Sequence, residues 1–129
     1  DRPVLAADGG MIEVALAQPE DFATTPPHRC RAYAVKKDGR VIGIGGLGFP
    51  AGGPVILWAD ITDELRALPV TLHKVGKRSI ADAIPLGIKR VYATTDQGFA
   101  AAERWIKRLG FTDTGEVIDG KKVHVWHAP

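Results

Sequence analysis

A single cysteine, Cys30, is all the sequence offers for thiol chemistry. That excludes an internal disulfide and any multi-cysteine zinc site, so a reducing, cytoplasmic setting is the expectation. No basic helix start lies beside Cys30 to lower its pKa, and it reads as a spectator thiol. Long apolar runs are also missing. None approaches the roughly twenty residues of a membrane span, and the first residues show no charged-then-apolar leader. Excess charge of one sign is scarce: 17 Lys and Arg against 15 Asp and Glu leave a net +2. This balance tolerates an anionic ligand but lacks the basic face of a dedicated nucleic-acid binder, a reading that would rest on the pI of 8.8 alone. His28, His124 and His127 keep no metal-ligand spacing with any carboxylate, so no zinc site is expected.

What remains is ordinary for a soluble α/β chain: 45% hydrophobic and 25% charged residues in a length of 129, read as one domain over residues 1–129. Residues 1–10 read as a loose lead-in, followed by a short strand at Met11–Ala17 and a connection, Gln18–Arg29, that carries Pro19, Pro26 and Pro27. Asp38-Gly39 between apolar runs marks a hairpin of Arg31–Lys37 and Arg40–Gly48. The glycines Gly43, Gly45, Gly46 and Gly48 lie inside a strand rather than on a strand-to-helix turn. They therefore signal a bulge or close backbone approach, not a dinucleotide loop.

Pro54–Ile61 is apolar on both faces and reads as a central strand. The helix after it starts with Pro69 just inside and ends before Gly87, burying Leu72, Val75, Gly76, Ser79, Ala83 and Leu86 while Lys74, Lys77 and Arg78 face away. Ile88–Thr95 reads as a strand. Asp96 is the expected cap of a second helix with a buried stripe of Phe99, Ala102, Trp105, Ile106 and Leu109, stopped by Gly110. Thr112–Ile118 and Lys121–His127, joined by Asp119-Gly120, close the chain.

The helix ending in Ala102, Trp105, Ile106, Leu109, Gly110 and Phe111 after a strand, with an earlier helix following a long central strand, resembles the GNAT acyltransferase fold from about Ala32 to Trp126. The spacing of Pro54, Leu57-Trp58, Pro69, Asp96 and Trp105-Ile106-Lys107-x-Leu109-Gly110-Phe111 is more narrowly similar to the GNAT-like proteins of short-tailed bacteriophages, which are internal virion proteins or acetyltransferases. Phe99 stands where that family has Asn.

The resemblance implies a mixed central sheet with helices packed on it and a shortened N-terminal helical region. It implies acetyl-CoA as co-substrate and a small-molecule or protein amine as acceptor. It places the strand edge for the pantetheine arm near Ala59–Ile61, where two strands splay after Trp58. The pyrophosphate loop has two registers. His73–Arg78 contains Gly76 but leaves a short helix. Arg66–Thr71 gives a full-length helix and is preferred, with Arg66, Leu68, Val70 and Thr71 at the loop and Lys74 beyond it. Pro69 in place of Gly, and Thr71 in place of a small residue, predict weak coenzyme binding.

Asp60, at the strand end, is the first candidate base and His73 the second. The Tyr that many GNAT enzymes use as acid is replaced by Ile106, while Tyr92 is expected to pack in the sheet. Only Gln18–Cys30 is available for the acceptor-pocket wall, which is therefore absent, very short, or supplied by a second copy in a homo-oligomer. Two functions follow: an N-acyltransferase, or a non-catalytic interaction or virion component.

Overall fold

The computed structural model describes residues 4–5 and 10–129. In chain order the strands are β1 (Val4–Leu5), β2 (Met11–Leu16), β3 (Arg29–Lys37), β4 (Arg40–Phe49), β5 (Ile56–Ile61), β6 (Arg90–Asp96), β7 (Thr112–Ile118) and β8 (Lys121–His127). The helices are α1 (Asp63–Arg66), α2 (Pro69–Ala81) and α3 (Ala100–Arg108). Two Asp-Gly turns set the hairpins. Asp38 and Gly39 have φ of 51° and 80°, and Asp119 and Gly120 have 52° and 78°. Successive left-handed residues give a turn whose twist matches that of paired strands. The closing hairpin has the bounds predicted from sequence, and the first is slightly longer at both ends.

The strands form one mixed sheet in the order β1-β2-β3-β4-β5-β6-β8-β7, and β5 and β6 are its parallel pair. Val4–Leu5, expected to be loose, pairs with β2, while the remainder of 1–9 lies outside the described residues. The strand buried on both faces is β4, and its glycines are the reason. A Cβ at Gly46 would lie 2.2 Å from the Arg31 carbonyl oxygen and 2.8 Å from the Ala32 Cα, and one at Gly45 would lie 2.6 Å from the Trp58 carbonyl oxygen. The close approach read from the sequence is therefore present. β5 is interior in the strand order, but Ala59 and Asp60 are exposed, contrary to a strand covered on both faces.

Both long helices pack on one face. Ile80 and Ala83 meet Ile106 and Leu109 over Leu47, Val91, Ala93 and Trp126. Gly76 lets the helices touch, since a Cβ there would stand 3.0 Å from both Leu109 and Trp105. α2 begins at Pro69 as predicted but stops at Ala81. Pro85 offers no N–H to the Ala81 carbonyl and disfavours helical backbone at Ile84. Leu86 is consequently 56% exposed and not part of the buried stripe. Asp96 is the last residue of β6 and not a cap. Gly98 turns the chain at φ 82°, Phe99 takes the N-cap position without a side-chain bond, and its ring is exposed rather than buried. α1 was not visible in the sequence pattern. It is a single turn, with the Thr62 hydroxyl accepting from the Leu65 N–H, and it buries Leu65 against Ile12, Val35 and Ile42.

Candidate functional site

The parallel pair β5 and β6 shares one ladder position, Ile56 with Tyr92, marked by the Tyr92 N–H donating to the Val55 carbonyl at 2.9 Å. Beyond it the strands part, two residues earlier than the expected divergence after Trp58. On its other side β5 stays paired with β4 through Ile61, and the Thr62 N–H reaches the Ile42 carbonyl at 3.2 Å. The ladder alternates. If Thr62 bonds toward β4 and Val55 toward β6, then the N–H and C=O of Ala59 and Ile61 point into the gap that β6 has left. An exposed Ala59 on an interior strand is the accessibility sign of that gap.

The start of α2 stands over the same end of β5, with Leu68 and Leu72 packing in one cluster with Ile61. Residues 73–78 lie within α2, so His73–Arg78 is not a loop, and the helix start belongs to the Arg66–Thr71 register. The N–H groups of Val70 and Thr71 meet no backbone acceptor among the described residues, as expected of a first helical turn. Two features reduce the donor set. Pro69 has no N–H, and the Leu68 N–H already donates to the Leu65 carbonyl at 2.9 Å. Arg66 is exposed and pairs with Asp63 at 2.7 Å. Lys74 is exposed on α2. Arg78 lies about 13 Å along the helix from Pro69, with its guanidinium 4.7 Å over the Tyr33 ring, so it belongs to the far end of α2.

Side chains alternate across β5. Asp60, paired with Ile44, and Trp58, paired with Gly46, face away from α2 into a cavity of about 280 Å³. Its other wall is the segment Phe22–His28. This wall is short and comes from the same chain. A 3-10 turn, Pro19–Asp21, starts it, and Asp21 holds it down: its carboxylate accepts from the Gln18 N–H at 2.8 Å and pairs with Lys36 of β3 at 3.0 Å. The Gln18 N–H first, then Lys36, lower the Asp21 pKa against the opposing effect of burial. A depressed carboxylate stabilises the fold above its unfolded pKa of about 4 and loses that contribution as pH falls through the folded value. Asp21→Asn is therefore expected to lower the melting temperature at pH 7, with the gap from the parent protein closing as pH falls below about 4. A gap independent of pH would show that the charge of Asp21 does not hold the segment.

His73 sits on α2, on the opposite face from Asp60, so the fold does not bring the two candidate bases together. His28 does line the cavity, its Nδ1 3.1 Å from the Arg29 carbonyl. It was missed because its neighbourhood forms only when residues 22–28 fold over β4 and β5. Ile106 is 5% exposed in the core, and Tyr92 is half-buried at the apex where the strands part. Burial pushes the Cys30 thiol up, in keeping with a spectator.

The histidine spacing gave no metal signal, yet tertiary packing gathers Glu103 of α3, Asp113 of β7 and His124 of β8, with ligand atoms within 4.8 Å of one another. The Lys122 ammonium already lies 3.1 Å from Glu103 and 3.8 Å from Asp113, so both carboxylates of this group have a cationic partner. No helix among the described residues is long and apolar enough to cross a membrane.

No family model matches the sequence, and no curated protein matches it. Solved structures do match. The GNAT domain of S. lividans PAT superposes with a TM-score of 0.72 at 14% identity, covering 98% of this chain and 96% of that one. The IAA acetyltransferase from Bacillus cereus gives 0.70 at 12%, covering 91% and 99%. A GNAT family acetyltransferase from Elizabethkingia anophelis with acetyl-CoA bound gives 0.66 at 11%, covering 91% and 98%. These neighbours are bacterial and carry no link specific to phage. At such identities the likeness establishes the fold: this chain is a GNAT-like α/β protein with a mixed sheet and helices packed on it.

Proposed function

We propose that the protein is an N-acyltransferase that takes an acetyl group from acetyl-CoA to an amine. The observation that carries this reading is the single-position pairing of β5 and β6, which leaves the Ala59 and Ile61 backbone groups without a ladder partner on the β6 side, beside the α2 start. An extended arm with its own amides is the ligand such an edge accepts, as an added strand. The N–H groups of Val70 and Thr71, with the helix dipole behind them, favour a phosphate, and Arg66 adds a cation at the same end. Acetyl-CoA, when bound, supplies the activated acyl group. Asp60 is the base that takes the proton from the acceptor amine, whereas His73, on the other face, takes no part. Asp60 lies on β5 between Ala59 and Ile61, so the base stands directly beside the strand edge that would hold the thioester end of the arm.

A second reading, a non-catalytic GNAT-like interaction or virion component, is favoured by the missing N–H at Pro69, the engaged Leu68 amide and the apolar Ile106. A thermal-shift titration with acetyl-CoA separates them. Ligand at a hundred times its Kd stabilises by about 2.7 kcal/mol, several degrees for a chain of this size. Arg66→Ala is expected to shrink the shift. A melting temperature unmoved at millimolar acetyl-CoA favours the interaction component.

A further inference from the structure

We infer that the acceptor is a compact primary monoamine with an apolar, arene-sized body, seated against the packed Phe22–Trp58 pair with its ammonium on Asp60. This rests on the acyltransferase reading and adds the substrate class. The cavity has one carboxylate in its lining, Asp60, and no lysine or arginine. The rest of the wall is chiefly apolar: Phe22, Ile44, Trp58, Pro26 and Pro27, with the Phe22 and Trp58 ring centroids 6.3 Å apart. Aromatic faces beside a single carboxylate favour one positive charge carried on an apolar frame.

Other amines fit less well for stated reasons. A polyamine or aminoglycoside would bring several ammonium groups to a wall with one counter-charge, leaving the others without a partner there. A peptide needs backbone partners, and Pro26 and Pro27 offer no N–H. The hollow over Asp60, about 280 Å³, is compact, and it adjoins a second of about 640 Å³ along Phe22, Pro26 and His28. Asp21, one residue before the wall segment, pairs with Lys36 of β3.

The chemistry balances without another reactant. The Asp60 carboxylate takes one proton from the ammonium, and the amine nitrogen forms a C–N bond to the thioester carbonyl carbon. The C–S bond breaks, and coenzyme A leaves as its thiolate, which takes up a proton from solvent. The second amine proton is released from the product amide nitrogen.

The test uses the full chain and phenethylamine, spermidine and N-acetyl-lysine amide as probes. Direct binding is followed by tryptophan fluorescence without coenzyme, and turnover by thiol release with acetyl-CoA. Phenethylamine is expected to bind, and to exceed each of the other two in kcat/KM by about tenfold or more. Phe22→Ala is expected to raise the KM for phenethylamine by about tenfold while the acetyl-CoA thermal shift stays as in the parent. Preference for spermidine or the lysine amide overturns the inference, as does a phenethylamine KM indifferent to Phe22. If acetyl-CoA gives no shift and no amine releases thiol, the acyltransferase reading fails. The fluorescence titration then decides the cavity by itself: saturable phenethylamine binding that Phe22→Ala weakens supports the monoamine site, and its absence removes it.

Discussion

Replacing Asp60 with Asn is expected to lower kcat for acetyl transfer by about 10²–10⁴-fold, the range a positioned general base contributes, while leaving the acetyl-CoA thermal shift unchanged. The carboxylate stands on the cavity side of β5, and the backbone that faces the coenzyme slot belongs to Ala59 and Ile61. Asn keeps the size and polarity of the side chain but cannot take a proton. The two readouts should therefore separate: chemistry is lost and coenzyme binding retained. His73→Ala is the matching control, since His73 lies on the other face, and its turnover is expected to stay near that of the parent. Should Asp60→Asn turn over at the parent rate, the base lies elsewhere, and His28, the other titratable group lining the cavity, becomes the residue to replace.

The second large effect is on stability. Gly46→Ala is expected to destabilise the fold by about 3 kcal/mol, lowering the melting temperature by about 10 °C. The new methyl would meet backbone atoms, the Arg31 carbonyl oxygen at 2.2 Å and the Ala32 Cα at 2.8 Å, which cannot rotate away as a side chain can. Gly39→Ala is the contrast. At φ 80° on a turn with nothing within 4 Å, it carries conformational strain only and is expected to cost about 1 kcal/mol. Equal losses at the two positions would mean that β3 and β4 are not in the close contact described. Because β5 hangs on β4 through Gly45–Ala59 and Gly46–Trp58, Gly46→Ala should also weaken the acetyl-CoA response of whatever fraction stays folded.

The parts of this fold that follow from local chemistry could be read from the residues alone. Asp-Gly at 38–39 and 119–120, Pro69 at a helix start and Gly110 at a helix end each impose a backbone conformation through their own covalent structure. The errors lie where tertiary packing decides. Asp96 looked like a cap but stays in register opposite Lys121, and Leu86 fitted the helical stripe until Pro85 ended the helix ahead of it. Apolar side chains on both faces predict that β5 is the doubly buried strand. β4 holds that place because its glycines let neighbours close in.

The candidate site divides in the same way. Ala59–Ile61 and Arg66–Thr71 are contiguous segments, and their placement followed once the strand and helix were assigned. The cavity wall, His28 and the Glu103–Asp113–His124 group depend on residues far apart in sequence, for which spacing carries no signal.

The gap between β5 and β6 is expected to take the coenzyme arm. An amide-resolved NMR titration with coenzyme A addresses it position by position. The N–H signals of Ala59, Ile61, Val70 and Thr71 are expected to move together and saturably, while those of Val117 and Ile118 on the far edge strand stay in place. Saturable binding that leaves the first four signals unmoved would place the ligand elsewhere and contradict the account.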